Sequence, residues 1–222
     1  QYANINELPI IWSRWFFIGD DPGKLEADSV TTDSYLGPNL KKAFDMVSKD
    51  LLIISPYFVP GEQINDYLIA KAKQGVRIRI LTNSLAATDV AMVHAGYMGY
   101  RKSLLEAGVE LYEFRVKQTA KEKRQYGWIG SSQSSLHAKS FLFDESFIFV
   151  GSFNLDPRSI ALNTELGVYF AGAEFASLFS REFDENIISE LEKGQIWEDN
   201  VLQWLFGDNE VSKQELIDKI LS

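Results

Sequence analysis

A chain of 222 residues, 45% hydrophobic and 24% charged, can bury a sizeable core in one large α/β domain or two small ones, which excludes disorder as the default state. A net charge of −9 argues against a nucleic-acid partner gripped through its phosphates, although a local basic face could override that balance. The absence of cysteine removes disulfide frameworks and thiolate metal sites, and the longest apolar runs, such as LLIIS at 51–55, are too short to span a bilayer.

No signal-peptide pattern stands at the amino end, and the chain opens on Gln1, so a processed or excised piece is expected. Residues 1–34 read as a loop-like linker, with GDDPGK (19–24) as its clearest turn and an aromatic cluster, IWSRWFF, that needs something to pack against. From residue 35 the pattern alternates like βα units. GPNLKKAFDMVSKD (37–50) predicts a helix with Pro38 near its first turn, and LLIIS a buried strand closed by PYFVPG. A helix at 62–74 stops at Gly75, and VRIRILT (76–82) alternates as a strand. Thr88 or Asp89 caps a long helix that runs to Ala107 and stops at Gly108, before the strand VELYEF (109–114). A polar loop over 115–134 leads to two short strands, 138–143 and 146–151. TELGVYF (164–170) is a further strand, followed by an amphipathic helix over 173–191. Ser212 and Glu215 form a capping box that opens a last short helix. One α/β domain with a mixed sheet over 35–195, and a tail at 196–222 that packs on it, is the expected organisation.

The stretch LHAKSFLFDESFIFVGSFN (136–154) holds one of the two histidines of the chain. Its spacing is His137-x-Lys139, four residues, Asp144, six residues, then Gly151-Ser152-x-Asn154. In a strand, residues i and i+2 share a face, so His137 and Lys139 project side by side. If the second short strand returns antiparallel to the first, Ser152 and Asn154 come back beside that pair. Gly151 permits close backbone approach, and its neighbours can offer N–H donors to an anion. An imidazole, an ammonium, a hydroxyl and an amide in one place make an anion site with a nucleophile or an acid, the parts phosphodiester chemistry requires. An isolated histidine here would more simply finish a hairpin; the complete spacing favours the site.

The stretch resembles the HKD motif of the phospholipase D superfamily, H-x-K-x4-D-x6-G-S-x-N, with every fixed position filled. SPYFVPG (55–61) and NLDPRSIALNTELG (154–167) are similar to segments of its bacterial cardiolipin synthase and phospholipase D-like branch. The resemblance implies a phospholipase D-like α/β fold, its mixed sheet flanked by helices on both faces. It also implies phosphodiester chemistry on phospholipids through a phosphohistidine, without a cofactor or metal. By the same resemblance His137 is one of two active-site histidines, and Lys139 and Asn154 hold the phosphate with Ser152 in support. Asp144 and Gly151 belong to the structural part of the motif. Glu165 matches the carboxylate that orients the histidine, the partner a catalytic imidazole needs on its second nitrogen.

The family builds its site from two such motifs, and this chain carries one. His94, in DVAMVHAGY, lacks the lysine and Gly-Ser context of a second motif and is a candidate for the site lining or the core. Tyr57, on a loop that follows a strand, is a candidate for the pocket border. The missing motif is expected from an amino-terminal half of the same polypeptide, or from a second copy in a homodimer. An endonuclease or other phosphodiesterase acting as a homodimer, and a non-catalytic partner half, stay open as alternatives. The loop over 115–135 sets Arg115, Lys117, Lys121, Lys123 and Arg124 against Glu122, with Tyr126 and Trp128. It suits either a solvated surface or anionic lipid headgroups, and peripheral association with a bacterial membrane is the expected location.

Overall fold

The computed structural model describes residues 11–25, 35–85, 87–88, 91–114 and 136–188. Their strands are β1 (Arg14–Gly19), β2 (Asp50–Ile54), β3 (Arg77–Asn83), β4 (Glu110–Phe114), β5 (Ser140–Phe143), β6 (Phe147–Gly151) and β7 (Leu166–Ala171). The helices are α1 (Leu36–Met46), α2 (Gly61–Lys73), α3 (Ala91–Glu106), α4 (Pro157–Ala161) and α5 (Ala173–Glu182). The strands form one seven-stranded sheet in the order β1-β7-β6-β5-β2-β3-β4. β2, β3 and β4 run parallel, whereas β5, β6, β7 and β1 pair antiparallel.

The parallel half arises where helices alternate with strands, because a parallel step needs a crossover. Gly75 and Gly108 take φ of 92° and 89° after α2 and α3, the left-handed turn that ends a helix and returns the chain to the sheet. Both faces of the sheet are covered. Leu51 and Ile53 of β2 point to a core shared with Leu36 and Leu40 of α1, Leu68 of α2 and Leu104 of α3. Leu52 and Ile54, on the alternate positions, point to a second core with Ala176 of α5 and Phe183. Burial on both sides accounts for the unbroken apolar run of β2. Each such fully buried aliphatic side chain contributes about 1.5–3 kcal/mol.

Three segments differ from the sequence expectation. Arg14–Gly19 is a strand at the sheet edge, paired with β7 from Arg14↔Ala171 to Gly19↔Leu166, where a loop was expected. Its aromatic run has strand propensity but lacks the polar–apolar alternation that marks a half-buried strand. The helix expected over 173–191 is α-helical only to Glu182, and a π-helical turn follows over Phe183–Ile188. Asp184 in that turn pairs with the fully buried Arg79 at 2.7 Å, and Arg79 also meets Asp50 at 2.6 Å and the Phe183 ring at 5.6 Å. A short helix, α4, was not expected at all; Asp156 caps it by accepting from the backbone N–H groups of Arg158 and Ser159. The basic loop over 115–135, the Asp89 cap, Trp197, Trp204, Phe206 and the Ser212–Glu215 capping box lie outside the described residues.

Candidate active site

The motif spacing is the geometry of one hairpin. The four residues between Lys139 and Asp144 are β5, and the six between Asp144 and Gly151 are a turn residue, Ser146 and most of β6. Asp144 and Glu145 take φ of 50° and 48°, and the Ser146 N–H donates to the Phe143 carbonyl at 2.9 Å. Positive φ at both central residues gives the turn whose twist matches antiparallel strands. The Ser140↔Val150 register and the Gly151 N–H bond to the Lys139 carbonyl (3.1 Å) then bring Ser152 back beside the His137–Lys139 segment.

Asp144 sits at the turn end of this hairpin, away from that segment. Its carboxylate accepts from the backbone N–H groups of Ser48, Lys49 and Asp50 at 2.7–3.1 Å and from the Ser48 hydroxyl at 2.9 Å. Partial burial alone would raise its pKa, but the Asp50 and Lys49 amides, with Ser48, outweigh it and hold the group below the ordinary carboxylate value of 3.8. A depressed folded-state pKa stabilises the protein above the unfolded value and loses that contribution as pH falls through the folded one. Asp144→Asn is therefore expected to cost about 1–3 kcal/mol at neutral pH. In urea melts the gap to the wild type should close as the pH is lowered below the ordinary aspartate range.

At the other end, five of the candidate residues stand beside the same end of β5, β6 and β7. Lys139 is buried, and its Nζ donates to the His137 carbonyl at 2.9 Å. The His137 side chain is exposed. The Ser152 hydroxyl hydrogen-bonds Glu165 Oε2, and the Leu166 N–H donates to Ser152 Oγ at 3.0 Å. Glu165 Oε1 accepts from Asn163 Nδ2 at 3.1 Å. Asn154 is buried; its N–H meets the Ser159 hydroxyl at 3.3 Å, and its Oδ1 has no hydrogen-bond partner among the described residues.

The resemblance gives Glu165 the task of orienting His137. Among the described residues no hydrogen bond joins the two, and the carboxylate is engaged by Ser152 and Asn163. The strand register is the reason. Gly151 pairs with Gly167, and the Ser152 N–H donates to the Leu166 carbonyl at 2.9 Å, so residue 165 arrives next to Ser152. A Cβ on Gly151 would meet the Leu166 carbonyl at 2.4 Å, which shows how closely the two backbones approach there.

The SPYFVPG loop is stitched to the same place. Ser55 Oγ accepts from the Leu155 N–H at 3.0 Å and donates to the Tyr57 carbonyl at 2.7 Å, and the Val59 N–H donates to the Leu155 carbonyl at 2.8 Å. A small pocket at this edge takes Pro56 and Phe58 from the loop, with Thr82, Asn83, His94 and Tyr97; Tyr57 is half-buried and is not part of its lining. His94 is buried on α3, and its Nδ1 has no partner. Burial, with the Arg101 guanidinium, pushes its pKa below the ordinary histidine value, against a hydrogen bond to the Asn83 backbone.

Sequence reasoning missed the residues that support this edge. Asp20 and Lys24 of the GDDPGK turn form an ion pair at 2.7 Å with both side chains fully buried. Asp20 also accepts from the Leu36 and Glu165 N–H groups at 2.8 and 2.9 Å, and Lys24 donates to the carbonyls of Asn163 and Ser159 at 2.8 and 3.3 Å. Among the described residues, no cluster of His, Asp or Glu is placed to hold a metal ion, and no helix is long and apolar enough to cross a membrane.

The family model described as cardiolipin synthase, PLD-like domain, matches residues 40–187. The chain is 44% identical over 177 residues to cardiolipin synthase C of Escherichia coli, covering 79% of this chain and 37% of that protein. Its fold is similar to the phospholipase D family member Nuc from Salmonella typhimurium (TM-score 0.52, 15% identity, 78% of this chain and 93% of that one). It is also similar to phosphatidylserine synthase of Haemophilus influenzae (TM-score 0.51, 18% identity, 78% and 37%). The chain thus spans well under half the length of the Escherichia coli relative it matches. It belongs to the cardiolipin synthase-like branch of the phospholipase D family.

Proposed function

We propose that this chain is the carboxy-terminal half of a phosphatidyltransferase that forms cardiolipin by moving a phosphatidyl group from phosphatidylglycerol or phosphatidylethanolamine to a phosphatidylglycerol acceptor. The observation that carries the reading is the 44% identity to cardiolipin synthase C in a chain whose motif residues gather at one end of the β5–β6 hairpin. In the reaction an imidazole nitrogen attacks phosphorus, the bond to the departing alcohol breaks, and that oxygen takes a proton from an acid. An acceptor alcohol, or water, then gives up its proton and displaces the histidine.

One imidazole cannot be attacking base and proton donor in the same step, so a second histidine comes from the amino-terminal half. By family analogy His137 is the acid. Lys139 and Asn154 hold the non-bridging oxygens. Glu165 fixes the Ser152 hydroxyl, so its effect on the phosphate passes through Ser152. The protein acts at the membrane surface as a peripheral enzyme.

The test offers the full-length protein phosphatidylglycerol vesicles in one arm and single- and double-stranded DNA in the other. Cardiolipin or phosphatidic acid is the expected product. Cleavage of DNA with untouched lipid would overturn the reading in favour of a nuclease.

A further inference from the structure

We propose that Asn83 is a positioning residue that fixes the backbone carrying His137. In the sheet, β2 lies between β3 and β5, so β3 and β5 are separated by two strand spacings, about 10 Å. β2 stops at Ile54, and the chain turns away at Ser55 and Pro56. Past that point nothing in the ladder ties the end of β3 to the segment leading into β5. Asn83, the last residue of β3, closes the gap with its side chain.

Its Oδ1 accepts from the Leu136 N–H at 3.0 Å, and its Nδ2 donates to the Leu136 carbonyl at 3.2 Å. A side-chain amide carries one acceptor and a donor in the arrangement of a peptide group, so Asn83 pairs with Leu136 as a strand residue would. The side chain is held in turn. Asn83 is 3% exposed, its Nδ2 also reaches the Pro56 carbonyl at 3.5 Å, and the neighbouring Thr82 hydroxyl donates to the same carbonyl at 3.2 Å. Leu136 immediately precedes His137, whose own carbonyl is gripped by Lys139 at 2.9 Å. The exposed imidazole thus stands on a backbone fastened on both sides, by the Asn83 amide before it and the Lys139 ammonium at its own carbonyl.

The inference rests on the catalytic reading of His137 given above. Its test compares wild type, Asn83→Leu, Asn83→Asp and His137→Ala in the full-length protein, on phosphatidylglycerol vesicles. Asn83→Leu removes both bonds to Leu136 at similar volume, and Asn83→Asp keeps only the acceptor. Loosening of a group that must meet phosphorus in line should lower kcat by about 10- to 100-fold while KM changes by less than about threefold. A second readout is independent of turnover. The 222-residue chain has two histidines, so the imidazole NMR signals of His137 are easily followed, and Asn83→Leu should shift them. A folded Asn83→Leu protein with wild-type kcat, or with unmoved His137 signals, would overturn the inference. Failure of both Asn83 variants to fold would overturn it too, assigning the residue to the scaffold alone. Activity retained in His137→Ala would instead sink the catalytic reading, so the two failures are distinguishable.

Discussion

Replacing His137 by alanine in the full-length protein is expected to abolish phosphatidyl transfer while leaving the melting temperature nearly unchanged. The side chain is exposed and, among the described residues, makes no side-chain hydrogen bond, so its removal costs the fold within about 0.5 kcal/mol. Its neighbours do not depend on it either: Lys139 grips the His137 carbonyl, which alanine retains. On the proposed reading the chemistry does depend on it. Loss of a positioned proton donor costs about 10²–10⁴-fold, and loss of a nucleophile that forms the covalent intermediate leaves no route at all. Turnover by chromatography of the lipid products, with a thermal melt on the same sample, separates this outcome from unfolding. Activity within a few-fold of wild type would remove His137 from the mechanism.

Lys24→Met is expected to be the most destabilising single change at the described residues. Asp20 and Lys24 are fully buried, and the pair ties the amino-terminal turn to α1 and to the segment bearing Asn163 and Glu165. Removing the ammonium leaves a carboxylate in the interior with two amide donors and no cation, a loss of about 3–5 kcal/mol. In a chain of this size that lowers the melting temperature by roughly 6–20 °C. The double variant Asp20→Asn/Lys24→Met removes the stranded charge and should recover part of the loss. A Lys24→Met protein that melts like wild type would mean that water reaches the pair.

The parallel half of the sheet was legible because its helices carry glycine stops at Gly75 and Gly108 and its strands are short apolar runs. The hairpin was legible because motif spacing fixes its length. Other features depend on partners far apart in sequence. β1 carries aromatic residues on both sides, and only its pairing with β7 makes it a strand. Glu165 was assigned to His137 by resemblance alone, and its contact with Ser152 follows from the Gly151↔Gly167 register, which the sequence does not display. Lys24, in a turn full of Gly, Pro and Asp, reads as solvated until the Asp20 carboxylate and two carbonyls far along the chain are seen around it. Asn83 looks like any asparagine leaving a strand, a residue favoured in turns. Its second role appears only where β2 stops short and the amide takes the place of a missing strand.

The measurement that bears most directly on the account is phosphatidyl transfer by this 222-residue chain, first as a dilute monomer and then with the amino-terminal half supplied. On the proposed reading one motif provides an acid and a phosphate cradle but not the second histidine, so the chain alone should show no lipid turnover above background. Addition of the missing half should restore cardiolipin formation, and a His137→Ala chain should not. Lipid turnover by the dilute monomer itself would contradict the division of the site between two halves.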